Sequence, residues 1–486
     1  MPASKYASTA VLMAGIAILV IHHFYIFGGY FGSDDMHYAR LSHRLLHGEM
    51  DFGDHYSYRW PILWLTGLSY WLLGISDFST ALPTLLLSCG VFVLLFRVFR
   101  HSAYQLALAF LLCFSVKWYV FYSDKIVPDV YVTFFLFFAW LVYLKLNKNG
   151  LLMKSLLFVS LLFLAFLAKG TAILILPLLI YYFVLDIKQG KLYKWKYAIP
   201  IGVVLMAGYL LLCYSLTGNP LARFDAIQAN MYFSECAYDQ MPWSETWKRI
   251  TTGFLSFAWR ESLIYFLILA VLIRLFATLR VKAEEELSAI NFYFATVILL
   301  YLSMNFMTFS FKAYSPGCLE IRQYLFSIPI MAVCIVKMME HFQLSKLTLS
   351  AFILLLSLVA FVPIFKHKQL SKNFNYAEVK QDVNSIVQLL ETSDDIILSN
   401  RVMANFIDYY SGFKLTDRLY APEDFDFSQC QDNCYFLTNW YTEFFSRVKV
   451  DEVKAASEDY DLVEIDNTVY SVNTNGIFVH SVVATK

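Results

Sequence analysis

Long apolar runs alternate with short polar segments along the first three quarters of this chain. Runs of bilayer-crossing length lie near residues 7–27, 80–98, 104–122, 129–146, 152–168, 170–186, 197–216, 263–279, 288–306, 323–340 and 347–365. Each predicts a transmembrane helix, because about 20 apolar residues are needed to cross the hydrocarbon core as a helix. The run Pro61–Gly74 is apolar but too short to cross, and predicts a juxtamembrane helix lying at the surface. The first run, Ala7–Phe27, lacks a small-residue cleavage site and reads as a retained span. Beyond residue 365 the pattern changes. Short apolar runs such as "DIILSN" and "CYFLTN" alternate with helix-like stretches such as "NYAEVKQDVNSIVQLLE", which predicts a small α/β domain over 366–486.

Composition agrees with the pattern. The chain has 486 residues, 58% of them hydrophobic and 16% charged, against about 25% charged in a soluble domain. The expected fold class is a polytopic α-helical membrane protein of about eleven spans, residues 1–365, followed by a small extracytoplasmic α/β domain, 366–486. The formal net charge is zero, and no Lys/Arg-rich block indicates nucleic acid. The eight cysteines are scattered, and those other than Cys430 and Cys434 read as buried thiols. Cys430 and Cys434 lie in a polar region, where a local disulfide is the reading if that region faces an oxidising compartment.

Charge bias sets the orientation. Lys5, Arg97 and Arg100, Lys145, Lys148 and Lys154, Lys188 to Lys196, Arg280 and Lys282, and Lys337 and Lys346 fall on one side if Pro61–Gly74 does not cross. The N-terminus is then cytoplasmic. The first outer loop, 28–79, the long loop 217–262, the loop 307–322 and the whole C-terminal region then lie outside. A bacterial inner membrane with a periplasmic C-terminal domain is the expected location. Loop 217–262 carries Arg223, Tyr232, Trp243, Trp247 and Arg260, and its length predicts a cover over a site.

Polar groups near the membrane concentrate on that outer side. Gly32–Pro61 holds five carboxylates, three arginines and four histidines. Asp34 and Asp35 follow the first span directly. Next comes a helix-like stretch in which His37, Arg40, Arg44 and His47 share one face, and Tyr38, Leu41 and Leu45 another. This is an amphipathic helix at the lipid headgroups, or a site for an anionic headgroup. Of the adjacent acids, one can face a site while the other caps the helix start. Asp129 opens a span just after Asp124, Lys169 closes one and Arg322 opens another. Each could snorkel to the interface. Together they offer a carboxylate base and cations for a phosphate. His37, His43, His47 and His55 lack a zinc-site spacing and read as solvated interface histidines. There is no Walker loop and no Rossmann fingerprint.

The order of motifs resembles a known family. "DDMHYARLSHRLLHGEMDF", "YRWPILWLTGLSYWLLGIS", "PDVYVTFFLFFAW", "FLAKGTAILILP" and "IRQYLFSIP" look like the polyprenyl-phosphate-sugar-dependent glycosyltransferases of the GT-C superfamily. Within it they resemble the protein O-mannosyltransferase and lipid A aminoarabinose transferase branch. The resemblance implies that Asp34 is the catalytic acid-base position, with Asp35 where relatives carry Glu. It implies that Asp129 is the acid at the start of a span beside the site. Arg59, Lys169 and Arg322 would hold the donor phosphate. Tyr58 stands where some relatives have a metal-binding Glu, so no metal cofactor is expected, although a divalent cation would suit the chemistry. The implied partners are a polyprenyl-phosphate sugar, an acceptor that the sequence does not name, and the lipid bilayer.

Two other classes share the composition. A transporter or lipid flippase also places charges in membrane spans, but many transporters show internal repeats and broken helix pairs, and none is visible here. A polysaccharide polymerase would use the same kind of lipid-linked sugar.

Overall fold

A computed structural model describes residues 2–231, 236–308, 310, 313–342, 354–359 and 401–420. It also describes short pieces between 380 and 399, and the strands at 434–438, 460–464 and 478–484. Two compact units divide the chain. One comprises residues 1–25, 51–62 and 84–365; the other comprises 26–50, 63–83 and 366–486. Each unit is assembled from pieces distant in sequence.

The first unit is helical. Ten of the expected spans have a helix at their place. These are α1 (Pro2–Ile26), α4 (Asp77–Phe99), α5 with α6 (Ala103–Ser115, Lys117–Phe121), α7 (Pro128–Leu144), α8 (Leu151–Ala168), α9 (Leu176–Lys188), α10 (Trp195–Thr217), α14 (Ile264–Arg280), α15 (Glu284–Phe306) and α16 (Ser327–Met339). Among the described residues, six helices are long and apolar enough to cross a membrane, or eight if each of two bent pairs is one span. Most of the expected span 347–365 lies outside the described residues.

The expected span 104–122 is not one straight helix. It bends by 87° between α5 and α6. Val116 is extended there, and its N–H closes a tight turn on Cys113. The Ser115 hydroxyl takes the carbonyl of Leu112 at 2.7 Å, so local side-chain bonding competes with helix continuation. After α11 (Ala222–Met231), a second bend, of 93°, separates Trp243–Arg260, which holds α12 (Trp243–Lys248) and α13 (Phe254–Arg260), from α14 and falls at Ser262, whose φ is +64°.

The helix α3 (Trp60–Leu73) has 14 residues. That is about 21 Å of helix, short of the roughly 30 Å of hydrocarbon that a span must cross.

The second unit contains the helix α2 (Asp34–His47), the helix α17 (Arg401–Tyr410) and a five-stranded sheet. The strands β1 (Ile396–Ser399), β2 (Leu419–Tyr420), β3 (Cys434–Thr438), β4 (Tyr460–Glu464) and β5 (Phe478–Ala484) are ordered β2-β1-β3-β5-β4. β1 runs parallel to β2 and β3, while β5 runs antiparallel to β3 and β4. The expected apolar runs "DIILSN" and "CYFLTN" hold β1 and β3, which are neighbouring strands. Cys430 lies outside the described residues, and so does the pairing expected for it.

The helix α17 buries Val402, Met403, Phe406 and Ile407 and packs on α2. Arg40 Nε donates to Asp408 at 2.6 Å, and its Nη2 donates to Asn405 at 3.0 Å. Asn405 in turn donates to the carbonyl of Gly32 at 2.8 Å. Gly32 has φ +74°, and a Cβ there would meet Phe406 at 2.6 Å and Val402 at 2.7 Å, so only glycine admits this approach. Asp77, at the start of α4, forms an ion pair with Lys380 and accepts hydrogen bonds from Tyr409 and Tyr410.

Candidate functional site

The second unit carries the acid pair. Asp35 is buried, and its carboxylate accepts from the backbone N–H groups of Phe31, Ser33 and Met36, the last two at 3.0 Å. It therefore closes the loop that starts α2. Burial pushes its pKa from an ordinary 3.8 up to about 6, against the pull of those N–H groups and with a small push from Asp34. Asp34 is half-buried in the first turn of the same helix. Of the two acids, Asp35 takes the capping role and Asp34 has the greater access to solvent.

α2 ends as its sequence implies. Gly48 is left-handed, and the backbone N–H groups of Gly48 and Glu49 return to the carbonyls of Leu45 and Arg44, a Schellman closure. Tyr38 and Leu41 are buried on the expected apolar face. Arg40, from the expected polar face, and His43, which lies outside it, both find partners within this unit. Arg40 is engaged by Asp408 and Asn405, and His43 stacks on Phe413 at 4.9 Å. Burial lowers the pKa of His43. Arg40 and His43 thus serve the fold of this unit.

The first unit carries the cations. α7 and α8 are an antiparallel pair of 17 and 18 residues. At 1.5 Å per residue both are about 26 Å long, so the start of one meets the end of the other. Pro128 occupies the first turn of α7, where it is conformationally preset, and Asp129 sits at the helix's positive end. α8 stops when Lys169 turns extended at φ −161°. Its ammonium then reaches both oxygens of Asp129, at 2.9 and 3.0 Å. The side chains are 13% and 1% exposed.

Arg322 and Arg59 both act electrostatically on Lys169, as does Glu320. Arg322 is paired with Glu320, and Arg59 lies over the ring of Tyr56 at 5.1 Å. Arg59, Lys169 and Arg322, spread over 264 residues of sequence, thus share one electrostatic neighbourhood with Asp129. Asp34 and Asp35 belong to the other unit.

Other expected groups serve the fold. Asp124 is fully buried, with His22 at 3.3 Å, His23 at 3.4 Å and Lys125 at 3.5 Å, which ties α1 to the turn before α7. Tyr58 is 1% exposed and donates to the carbonyl of Phe52 at 3.0 Å. Its position offers no carboxylate to a metal. Arg223 is buried against the rings of Phe166 and Tyr209, at 4.2 and 5.8 Å, so within loop 217–262 it anchors the chain. Tyr232 lies outside the described residues.

Sequence reading missed a disulfide between Cys236 and Cys318. The signal was present, because "FSECAYD" and "SPGCLEIR" are polar surroundings in which a buried-thiol reading fails. Sequence reading also missed Arg249, which is 3% exposed and looks like one more loop arginine.

Taken together, these features define a polytopic helical membrane protein with a cation cluster backed by a buried carboxylate, and a separate α/β unit carrying an acid pair. No protein-family model matches the chain, and no curated protein matches it. Among solved structures it is similar to ArnT from Cupriavidus metallidurans bound to undecaprenyl phosphate, with a TM-score of 0.59 and 12% identity over 97% of this chain and 98% of that one. The apo state of the same ArnT gives 0.57 and 12% identity over 98% of both chains. At this identity the likeness is one of fold.

Proposed function

We propose that this protein is an inverting glycosyltransferase that moves a sugar from a polyprenyl-phosphate donor to an acceptor on the extracytoplasmic face of the membrane. One observation carries the reading. Lys169, Arg59 and Arg322 share one electrostatic neighbourhood in a fold similar to that of a protein bound to undecaprenyl phosphate. Clustered guanidinium and ammonium groups suit a phosphate that gains charge as the sugar departs. Asp129 holds Lys169 in place while its own charge is matched.

The proposed chemistry needs a base at the acceptor. Asp34 takes that role on the strength of its sequence motif. It removes the proton from the acceptor hydroxyl, and the oxygen attacks the anomeric carbon in line. The bond from that carbon to the phosphate oxygen breaks, and polyprenyl phosphate leaves with the electron pair. An acceptor that is already an anion needs no base, and Asp34 then orients it. Disulfides persist in oxidising compartments, so Cys236–Cys318 supports an extracytoplasmic place for the loops that carry it.

The test is to incubate the purified protein with a panel of polyprenyl-phosphate sugars and to follow release of polyprenyl phosphate. Release from at least one donor, lost in Lys169→Ala, is the expected result. No release from any donor, with no binding of undecaprenyl phosphate, would overturn the reading.

A further inference from the structure

Arg249 is a buried cation whose five hydrogen bonds all go to neutral acceptors. Its Nε donates to the carbonyl of Gly317 at 2.9 Å. Nη1 donates to the carbonyl and the side-chain oxygen of Asn305 at 2.8 and 2.6 Å. Nη2 donates to the carbonyl of Met304 and the hydroxyl of Tyr324, both at 3.2 Å. The network then closes on itself. Tyr324 passes its own proton to the carbonyl of Cys318 at 2.8 Å, and the Asn305 amide donates to the carbonyl of Ile250 at 2.8 Å.

The contacts converge on one short segment. Gly317 is held through its carbonyl, Cys318 through its carbonyl and its disulfide to Cys236, and Tyr324 through its hydroxyl. Glu320 and Arg322 lie between these fixed points. Gln323 braces Glu320 from within, its N–H on the Glu320 carbonyl at 3.1 Å and its side-chain amide on the carboxylate at 3.2 Å. The carboxylate in turn pairs with Arg322.

We propose that Arg249 is a positioning residue for Arg322. With the Cys236–Cys318 disulfide it fixes Gly317–Tyr324 so that the Arg322 guanidinium is presented beside Lys169. The inference rests on the reading of Arg322 as a cation for the donor phosphate. It requires arginine specifically, because a planar fork of five N–H groups reaches carbonyls in several directions, whereas a lysine offers three donors from a single point.

Two measurements on the full-length protein in detergent test it. They are binding of undecaprenyl phosphate and backbone hydrogen exchange over 317–324. Arg249→Lys is expected to weaken binding about 10-fold and to speed exchange in that segment. Arg322→Ala should add little in the Arg249→Lys background, because both changes remove the same contact to phosphate. The pair Cys236→Ser and Cys318→Ser should shift both readouts in the same direction, and keeps the test open if Arg249→Lys does not fold. Unchanged exchange over 317–324 in these variants would overturn the proposal, as would full additivity of Arg249→Lys and Arg322→Ala. If the unsubstituted protein does not bind the lipid phosphate, the donor reading falls, and the exchange measurement alone decides the positioning role.

Discussion

Lys169 closes on both carboxylate oxygens of Asp129, at 2.9 and 3.0 Å, across 40 residues of sequence. The contact arises because two antiparallel helices of nearly equal length bring the head of one to the foot of the other. Removing one member leaves the other charge buried without its partner. Asp129→Ala should therefore destabilise the protein by about 3–5 kcal/mol, and Asp129→Ala with Lys169→Ala by less than the sum of the single changes. Chemical unfolding in detergent measures both. Strict additivity would show that the two groups do not depend on each other.

The proposed base gives a second prediction. Asp34→Asn keeps the side-chain size and removes proton acceptance, so sugar transfer should fall by about 100-fold or more, with undecaprenyl phosphate binding retained. Near-normal turnover in a folded Asp34→Asn protein would remove the base from the mechanism.

Asp35 predicts a pH effect. Its carboxyl has a pKa near 6 in the fold against an ordinary 3.8, so the folded state holds that proton more tightly. Its contribution is then most favourable at low pH and declines as pH rises from about 4 to about 6. The decline is roughly 3 kcal/mol at most, at 1.36 kcal/mol per unit of pKa. In Asp35→Asn this dependence should vanish, and the N–H of Phe31 should lose its acceptor if the amide group takes that side. Unfolding of the two proteins compared at pH 4.5 and pH 7 tests the sign; an identical pH dependence would count against it.

Gly32 gives a fourth. Gly32→Ala adds a Cβ at 2.6 Å from Phe406 and forces alanine to φ +74°. Crowding and backbone strain together should cost about 2–4 kcal/mol in this unit. Adding Phe406→Leu should recover only part of the crowding, because Val402 still lies 2.7 Å from the new Cβ. Proteolysis within 401–410 reports the loosening, and no change there would show that the loop before α2 adapts freely.

Much of the fold was legible because hydrophobic period and length are local properties. The ten apolar runs before residue 341 each have a helix, and the shortness of Pro61–Gly74 was plain from counting. The break at Val116 was not legible, since it depends on a serine hydroxyl turning back on its own helix. Residue types at span ends singled out Asp129, Lys169 and Arg322, and the family resemblance singled out Arg59, but the reach of Lys169 to Asp129 was not legible, because it depends on how α7 and α8 pair. The roles of Arg40, Arg223 and Arg249 were not legible. Each is one arginine among many until the fold supplies Asp408, Phe166 or Asn305 as its partner. Asp34 and Asp35 are indistinguishable as letters, and only the backbone of Phe31–Met36 separates a capping acid from a more accessible one.

The composition of the second unit has a consequence for biosynthesis. Residues 26–50 and 63–83 leave the ribosome early, yet their packing partner α17 begins at residue 401. At about 5–20 residues per second the gap lasts roughly 15–60 s. During that interval Arg40 and the backbone at Gly32 are without their partners on α17, while the helices of the first unit are already being inserted. The loop that carries Asp34 is therefore finished by a helix made after α1 to α16. A nascent chain stalled before residue 401 would carry Asp129, Lys169, Arg59 and Arg322 and still lack the partners that α17 gives to Gly32 and Arg40.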